Sequence, residues 1–287
     1  MRKIGSMDNR GDAVMVTSVL ILSIALSVGS SYLLDYGEIV GKEDDMTHLA
    51  DVQESLLRIR ASMNSLLVAG DTDTLIINRM TLGTNGNPYL TVARSSGTLT
   101  QNSNPNHFYM ELVLESGGSE MVLDSLSGAI TYESNNYYFH DQTYYFTAGG
   151  VILEQYGSYV MSSYPDISIS PTPSGYSMEL NLFGLTGEYW KISGIESMPL
   201  TIRMAGRSSV QEDLIAGDVL SIRVNGIGEQ AWYDYFRGFL TEKGFSEGSD
   251  FTVDPPADWT DPNDKLEVDL TMITQMASRF GEMEVTI

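Results

Sequence analysis

The pattern of apolar and polar positions along this chain passes through three regimes. From Ala13 to Leu34 there are 22 residues without a single charge, an unbroken apolar run. Between Leu49 and Leu66 the apolar residues become periodic: Leu49, Val52, Leu56, Ile59, Met63 and Leu66 are spaced 3, 4, 3, 4, 3, the repeat of one helical face. Asp51, Gln53, Glu54, Arg58 and Arg60 occupy the other face, where Glu54 can pair with Arg58 one turn on. From residue 72 the pattern turns to short β-type runs divided by Gly, Asn, Ser and Pro.

The first regime predicts a helix of about 33 Å, enough for a bilayer core of about 30 Å. No proline precedes Pro88. The helix is therefore expected from about residue 12 to about residue 67, with a soft spot at Gly37 and Gly41 and a stop at Ala69-Gly70-Asp71. As one rod it would be about 80 Å long. Its periodic stripe suits either packing on the chain's own body or a seam between subunits.

The third regime predicts strands at Thr74–Ile77, Tyr89–Ala93, Phe108–Glu115, Ser119–Leu123, Gly128–Tyr132, Gln142–Thr147, Gly150–Gln155, Tyr159–Ser162, Asp166–Ser170, Tyr176–Leu182, Leu200–Ala205, Asp218–Val224, Asp264–Ile273 and Glu282–Ile287. Tyr176–Leu182 and Leu266–Met272 alternate cleanly, one face for a core and one for water. A surface helix over Gly228–Lys243, with Ala231, Tyr235, Phe236, Phe239 and Leu240 on one side, interrupts them. The expected fold is α+β and mainly β: a long N-terminal helix, transmembrane then amphipathic, before a β-sandwich-like antiparallel body with one inserted helix. The divisions are a leader over 1–11, the helix over 12–70 and the body over 71–287, with a possible break near Gly149. Because the strands all follow Gly70, the body is expected to fold without the helix, Leu56, Ile59 and Met63 covering part of a sheet.

Charge sets the orientation. Arg2, Lys3 and Arg10 precede the apolar run against Asp8 and Asp12, whereas Asp35, Glu38, Glu43, Asp44 and Asp45 follow it against Lys42. The positive-inside rule places the leader in the cytoplasm and the body outside. A cleaved secretory signal fits less well, because its apolar core is usually only about 7–15 residues long. Acidic residues outnumber basic ones 38 to 16, for a formal charge of −22, which repels nucleic acid and anionic lipid. The chain has no cysteine, which excludes disulfides and thiolate chemistry and leaves stability to core packing.

Candidate chemistry is sparse. His48, His107 and His140 lie far apart and make no metal-spaced pair. No nucleophile elbow, Walker loop, HExxH or dinucleotide fingerprint occurs, and Arg94–Thr98, rich in Gly and Ser, joins strands rather than opening a helix. The loop Asp254–Asp264 offers Asp258, Asp261 and Asp264 as weak oxygen ligands for a hard cation, without EF-hand spacing; its prolines suit a solvated turn better. The tyrosine clusters at Tyr137–Phe139 and Tyr144–Phe146 suit core and cross-strand packing better than carbohydrate stacking. No enzyme activity and no cofactor are indicated.

Arg10-Gly11, followed at once by the apolar helix, resembles the class III signal of archaeal type IV pilin-like proteins. Asp45–Arg60, Thr81–Tyr89, Arg94–Leu99, Gly128–Tyr132 and Gly150–Gln155 are similar to segments of large pilin-like surface proteins of that group. The resemblance implies a prepilin-peptidase-like processing enzyme as a partner, with Gly11 the residue before the cut and Asp12 the new N-terminus. It implies an assembly helix whose apolar positions, among them Val14, Val19, Leu20, Leu22, Leu26 and Leu33, meet membrane lipid before extraction and like or related pilin subunits afterwards. The chain departs from the family pattern in one respect: Val14–Ser18 contains no acid, and Asp12 lies at the cut itself. The body also exceeds that of a typical major pilin, which favours a minor or tip subunit or a membrane-held surface protein. The implied location is a single-pass cell membrane protein with its body outside, or an extracellular filament; the alternative to a filament subunit is a static anchor with a β-rich binding ectodomain.

Overall fold

The computed structural model describes residues 9–85, 94–259 and 264–287. A single helix, α1 (Asn9–Ala69), occupies the N-terminal part. The strands that follow are β1 (Ile76–Thr81), β2 (Ser96–Asn102), β3 (Phe108–Ser116), β4 (Ser119–Ser127), β5 (Ala129–Asn135), β6 (Thr143–Thr147), β7 (Gly150–Gln155), β8 (Ser158–Ser163), β9 (Asp166–Thr172), β10 (Gly175–Thr186), β11 (Trp190–Gly194), β12 (Ser197–Asp213) and β13 (Val219–Gly226). After helix α2 (Glu229–Glu242) come β14 (Phe251–Asp254), β15 (Leu266–Leu270) and β16 (Ile273–Thr286). The fold is α+β and mainly β, as the hydrophobic pattern predicts. The expected strand at Tyr89–Ala93 lies outside the described residues.

The body is built as three sheets rather than a simple two-sheet sandwich. The first runs β1-β12-β16-β10-β9, the second β11-β2-β5-β6-β7-β8 and the third β14-β15-β13-β3-β4. Among the described residues, neighbouring strands are antiparallel except β10 and β16, which run parallel. Between them the chain passes through β11 of the second sheet, returns to the first as β12, and then builds β13, β14 and β15 of the third, the long crossover that a parallel pair requires. Gly149, where the pattern hints at a break, lies in the two-residue turn that pairs β6 with β7 in the second sheet.

The described residues gather into two cores, and the first sheet contributes to both. One gathers Phe108, Leu112, Ile222, Val268, Trp232 and Phe236 with Ile273, Met276 and Phe280 of β16. Helix α2 is thus more than a surface element: Trp232 is fully buried, and its indole N–H donates to Thr147 Oγ1 at 3.3 Å. The other core gathers Leu49, Val52, Leu56, Ile59, Met63, Leu66 and Leu67 of α1 with Met80, Leu99, Tyr132, Phe146, Leu200 and Met283. The periodic stripe therefore packs on the chain's own sheets, and Glu54 pairs with Arg58 at 2.6 Å on the solvent face. Helix α1 is a wall of this core, so a body deprived of it exposes a large apolar face, more than the sequence pattern alone suggests. The helix ends at Gly70, whose φ of +67° suits a left-handed cap and whose N–H donates to Leu66 O at 2.9 Å.

Candidate functional site: a helix shared between two environments

Helix α1 divides sharply along its length. Met15, Val16, Ile21, Ile24 and Val28 are exposed, and Val19, Leu20, Leu22 and Leu26 each leave 57–62% of their surface uncovered. Among the described residues none of the apolar window is buried by the body. The helix is long and apolar enough to cross a membrane. Three of its hydroxyls bond back to the helix, Ser18 donating to Met15 O at 2.9 Å, Ser23 to Val19 O at 2.8 Å and Ser27 to Ser23 O at 2.8 Å. Such back-bonding lowers the cost of carrying a hydroxyl into hydrocarbon.

Burial begins at Gly37 and recurs at Gly41, Asp45, His48, Leu49, Val52, Leu56, Ile59 and Met63. This spacing of three and four residues puts one continuous face against the body. The expected soft spot is instead a close approach. The ring of Tyr138 lies against Gly41 so tightly that a Cβ there would sit 2.2 Å from its Cδ2, and the helix runs on unbroken.

Two polar clusters fasten the start of the docked face. Asp45 is 2% exposed; its Oδ2 accepts the backbone N–H of Tyr138 at 2.9 Å and of Phe139 at 3.0 Å, and its Oδ1 accepts the Ser95 hydroxyl. One turn further, the Tyr132 hydroxyl donates to Leu82 O at 2.8 Å, so its lone pair is left to accept from His48 Nε2–H at 2.8 Å. Burial lowers the His48 pKa, a pull only partly opposed by the Leu82 carbonyl and by Asp51 and Asp45. Burial also raises the Tyr132 phenol and pushes the Tyr144 phenol up to about 12. Each shift favours the neutral form of its group, and the hydrogen bonds among them fix the seam in place.

The residues singled out by sequence fall in different places. Gly11 and Asp12 lie on the backbone of α1, within its first turns; their side chains, with those of Val14 and Leu33, lie outside the described residues. Asp258 donates its N–H to Asp264 Oδ2 at 3.1 Å, which ties off the loop, while Asp261 lies outside the described residues. Among the described residues no group of three or more His, Cys, Asp or Glu side chains is placed to hold a metal ion. Tyr132, Tyr144, Tyr145 and Phe146 are core residues, as their strand positions predict. The Asp45 fastening escapes a reading for motifs. Its signal is the stripe itself: one step back from Leu49 the buried face reaches an acid.

Comparison with protein-family models, with characterised proteins and with solved structures finds no match for this chain.

Proposed function

We propose that this chain is a single-pass, membrane-rooted surface protein of pilin-like type, its apolar helix serving first as anchor and then as assembly element. The observation that carries the reading is the exposed stretch Met15–Tyr32, which continues without interruption into a face fully buried against the body. An apolar surface of that extent needs a partner of the same kind, either lipid or the helices of like subunits. The charge asymmetry around it favours a cytoplasmic leader and an external body. The resemblance of Arg10-Gly11 to a class III signal supports cutting after Gly11 by a prepilin-peptidase-like enzyme. Loss of Arg2, Lys3 and Arg10 then removes the charges that would resist extraction, each costing several kcal/mol in hydrocarbon.

The static-anchor alternative draws on one specific feature: Val14–Ser18 carries no acid to answer a neighbour's terminal amine. Mass spectrometry of the N-terminus of protein purified from its native membranes tests the choice. The pilin-like reading expects mature chains that begin at Asp12, and Gly11→Phe is expected to retain the leader. Chains that still begin at Met1 or Arg2 would defeat it in favour of the static anchor.

A further inference from the structure

Two neighbouring loops of the second sheet carry aromatic side chains at the surface. The β5–β6 loop presents Tyr137, Tyr138 and His140, while its Phe139 packs against the α1 core, and the β7–β8 turn presents Tyr156. Tyr137 is 69% and Tyr156 75% exposed. Tyr137 meets Tyr138 edge-on at 4.8 Å, and His140 meets Tyr156 edge-on at 5.0 Å. Tyr156 is also held in a left-handed conformation, φ 55°, beside Gly157 at φ 74°. Asn, Asp or Gly suit that turn position; a tyrosine there carries local strain without any gain in burial.

The position of these loops along α1 gives the surface its meaning. Asp45 holds the β5–β6 loop by two backbone N–H groups, and Tyr138 packs on Gly41. The body cannot swing away from this point without breaking those bonds. Gly41 follows Leu34, the last residue of the apolar run, by seven residues, or about 10 Å of helix. The headgroup layer on each side of a bilayer is roughly 5–7 Å thick, and a tyrosine side chain spans the remaining gap. On the helix itself Tyr32 and Tyr36, one on either side of Leu34 in sequence, stack at 6.2 Å.

We infer that Tyr137, Tyr138, His140 and Tyr156, with Tyr32 and Tyr36, form an interfacial collar that seats the body on the headgroups of the bilayer its own helix spans. The inference rests on the membrane-rooted reading above. Tyrosine, with an apolar ring and a polar tip, is the residue type that such an interface collects. Asp35, Glu38, Glu43 and Asp44 on the neighbouring helix turns would repel anionic lipid, so the collar favours zwitterionic lipid, whose quaternary ammonium groups suit aromatic faces.

The absence of native cysteine allows a direct test. The whole chain, carrying Leu22→Cys, Tyr137→Cys, Tyr156→Cys or Val68→Cys one at a time, is labelled with an environment-sensitive fluorophore and reconstituted in phosphatidylcholine vesicles. Val68 lies about 40 Å beyond Gly41 along α1 and is exposed. Nitroxide on the lipid headgroup is expected to quench the labels at 137 and 156 several-fold more strongly than the label at 68, while acyl-chain nitroxide quenches the label at 22. Quenching at 22 with labels at 137 and 156 no more affected than at 68 would overturn the collar and leave the anchor standing, the aromatic surface then belonging to a carbohydrate or protein partner. No quenching at 22 would defeat the membrane reading and the collar with it.

Discussion

The ring of Tyr138 rests on the backbone of Gly41, with no room between them for even a methyl group. Gly41→Ala is therefore expected to lower stability by about 1–3 kcal/mol through overpacking, although Ala is the better helix former by about 1 kcal/mol. Gly29, in the apolar stretch, has nothing within 4 Å of a built Cβ. Gly29→Ala is expected to leave stability unchanged or slightly raised. Chemical denaturation of the whole chain in detergent compares the two, and equal effects would contradict the close-approach account.

Asp45→Ala removes an acceptor from two backbone N–H groups and one hydroxyl. Leaving such donors buried and unmet costs about 2–4 kcal/mol, whereas Glu43→Ala, on the exposed side of the same helix, is expected to cost little. Hydrogen exchange gives a local reading. The amides of Tyr138 and Phe139 are expected to exchange faster in Asp45→Ala while those of β13 keep their protection.

His48 makes the docked seam sensitive to acid. Burial disfavours its imidazolium, so its folded-state pKa lies below the ordinary value. As pH falls through about 6.5, the unfolded chain takes up a proton that the native chain resists, and stability falls with it. The contribution is full above that pH and lost below. Relative to His48→Gln, which keeps a donor for Tyr132, the wild-type chain is expected to lose ground between pH 7 and 5, as read from denaturation midpoints at each pH. A difference that stays constant over that range would rule out His48 as a source of the acid sensitivity.

Glu229 works with the opposite sign. Burial pushes its carboxyl up to about 7, with Asp264 adding to the rise and the Gly226 N–H opposing it. The native chain holds a proton that the unfolded chain has released, so this contribution is full below about pH 4.5 and is lost as pH rises through about 7. Glu229→Gln is expected to gain about 2 kcal/mol on the wild type at pH 8, with the gain fading towards pH 4.5. Denaturation at the two pH values checks it; a gain of equal size at both would point to packing instead.

Much of the fold was legible where chemistry and geometry agree. The stripe from Leu49 to Leu66 is apolar because it is buried, and Tyr176–Leu182 alternates because β10 has one face in each environment. Legibility fails where burial falls on residues that are not apolar. Strand β2 buries Gly97, Leu99 and Gln101; Gly97 is buried because the Tyr132 hydroxyl occupies the space of a side chain, so the strand reads as a Gly/Ser-rich connection. The second half of β12, from Arg207 to Asp213, pairs with β16 and turns Ser208, Val210 and Glu212 half inward, but only Val210 of the three is apolar, so no hydrophobic alternation marks it. Asp264–Ile273 reads as one strand, yet β15 and β16 part after Leu270 because they belong to different sheets.

The candidate site was legible to the same extent. The long apolar helix follows from the 22 charge-free residues, while its exposure is read only from the structure. The polar fastening does not, because Asp45, Ser95 and Tyr138 are brought together from three separate segments. Tyr137 and Tyr156 share one surface only through the pairing of β5, β6 and β7.

The central claim is that one helix serves two environments, with the change near Asp35. Flotation with phosphatidylcholine vesicles, followed by alkaline extraction, tests it on the whole chain and on a chain beginning at Asp35. The whole chain is expected to float and to resist extraction. The shorter chain keeps the docked face from Gly37 to Leu67 and is expected to stay in the soluble fraction as a folded monomer. A chain from Asp35 that floats and resists extraction as fully as the whole protein would contradict the account.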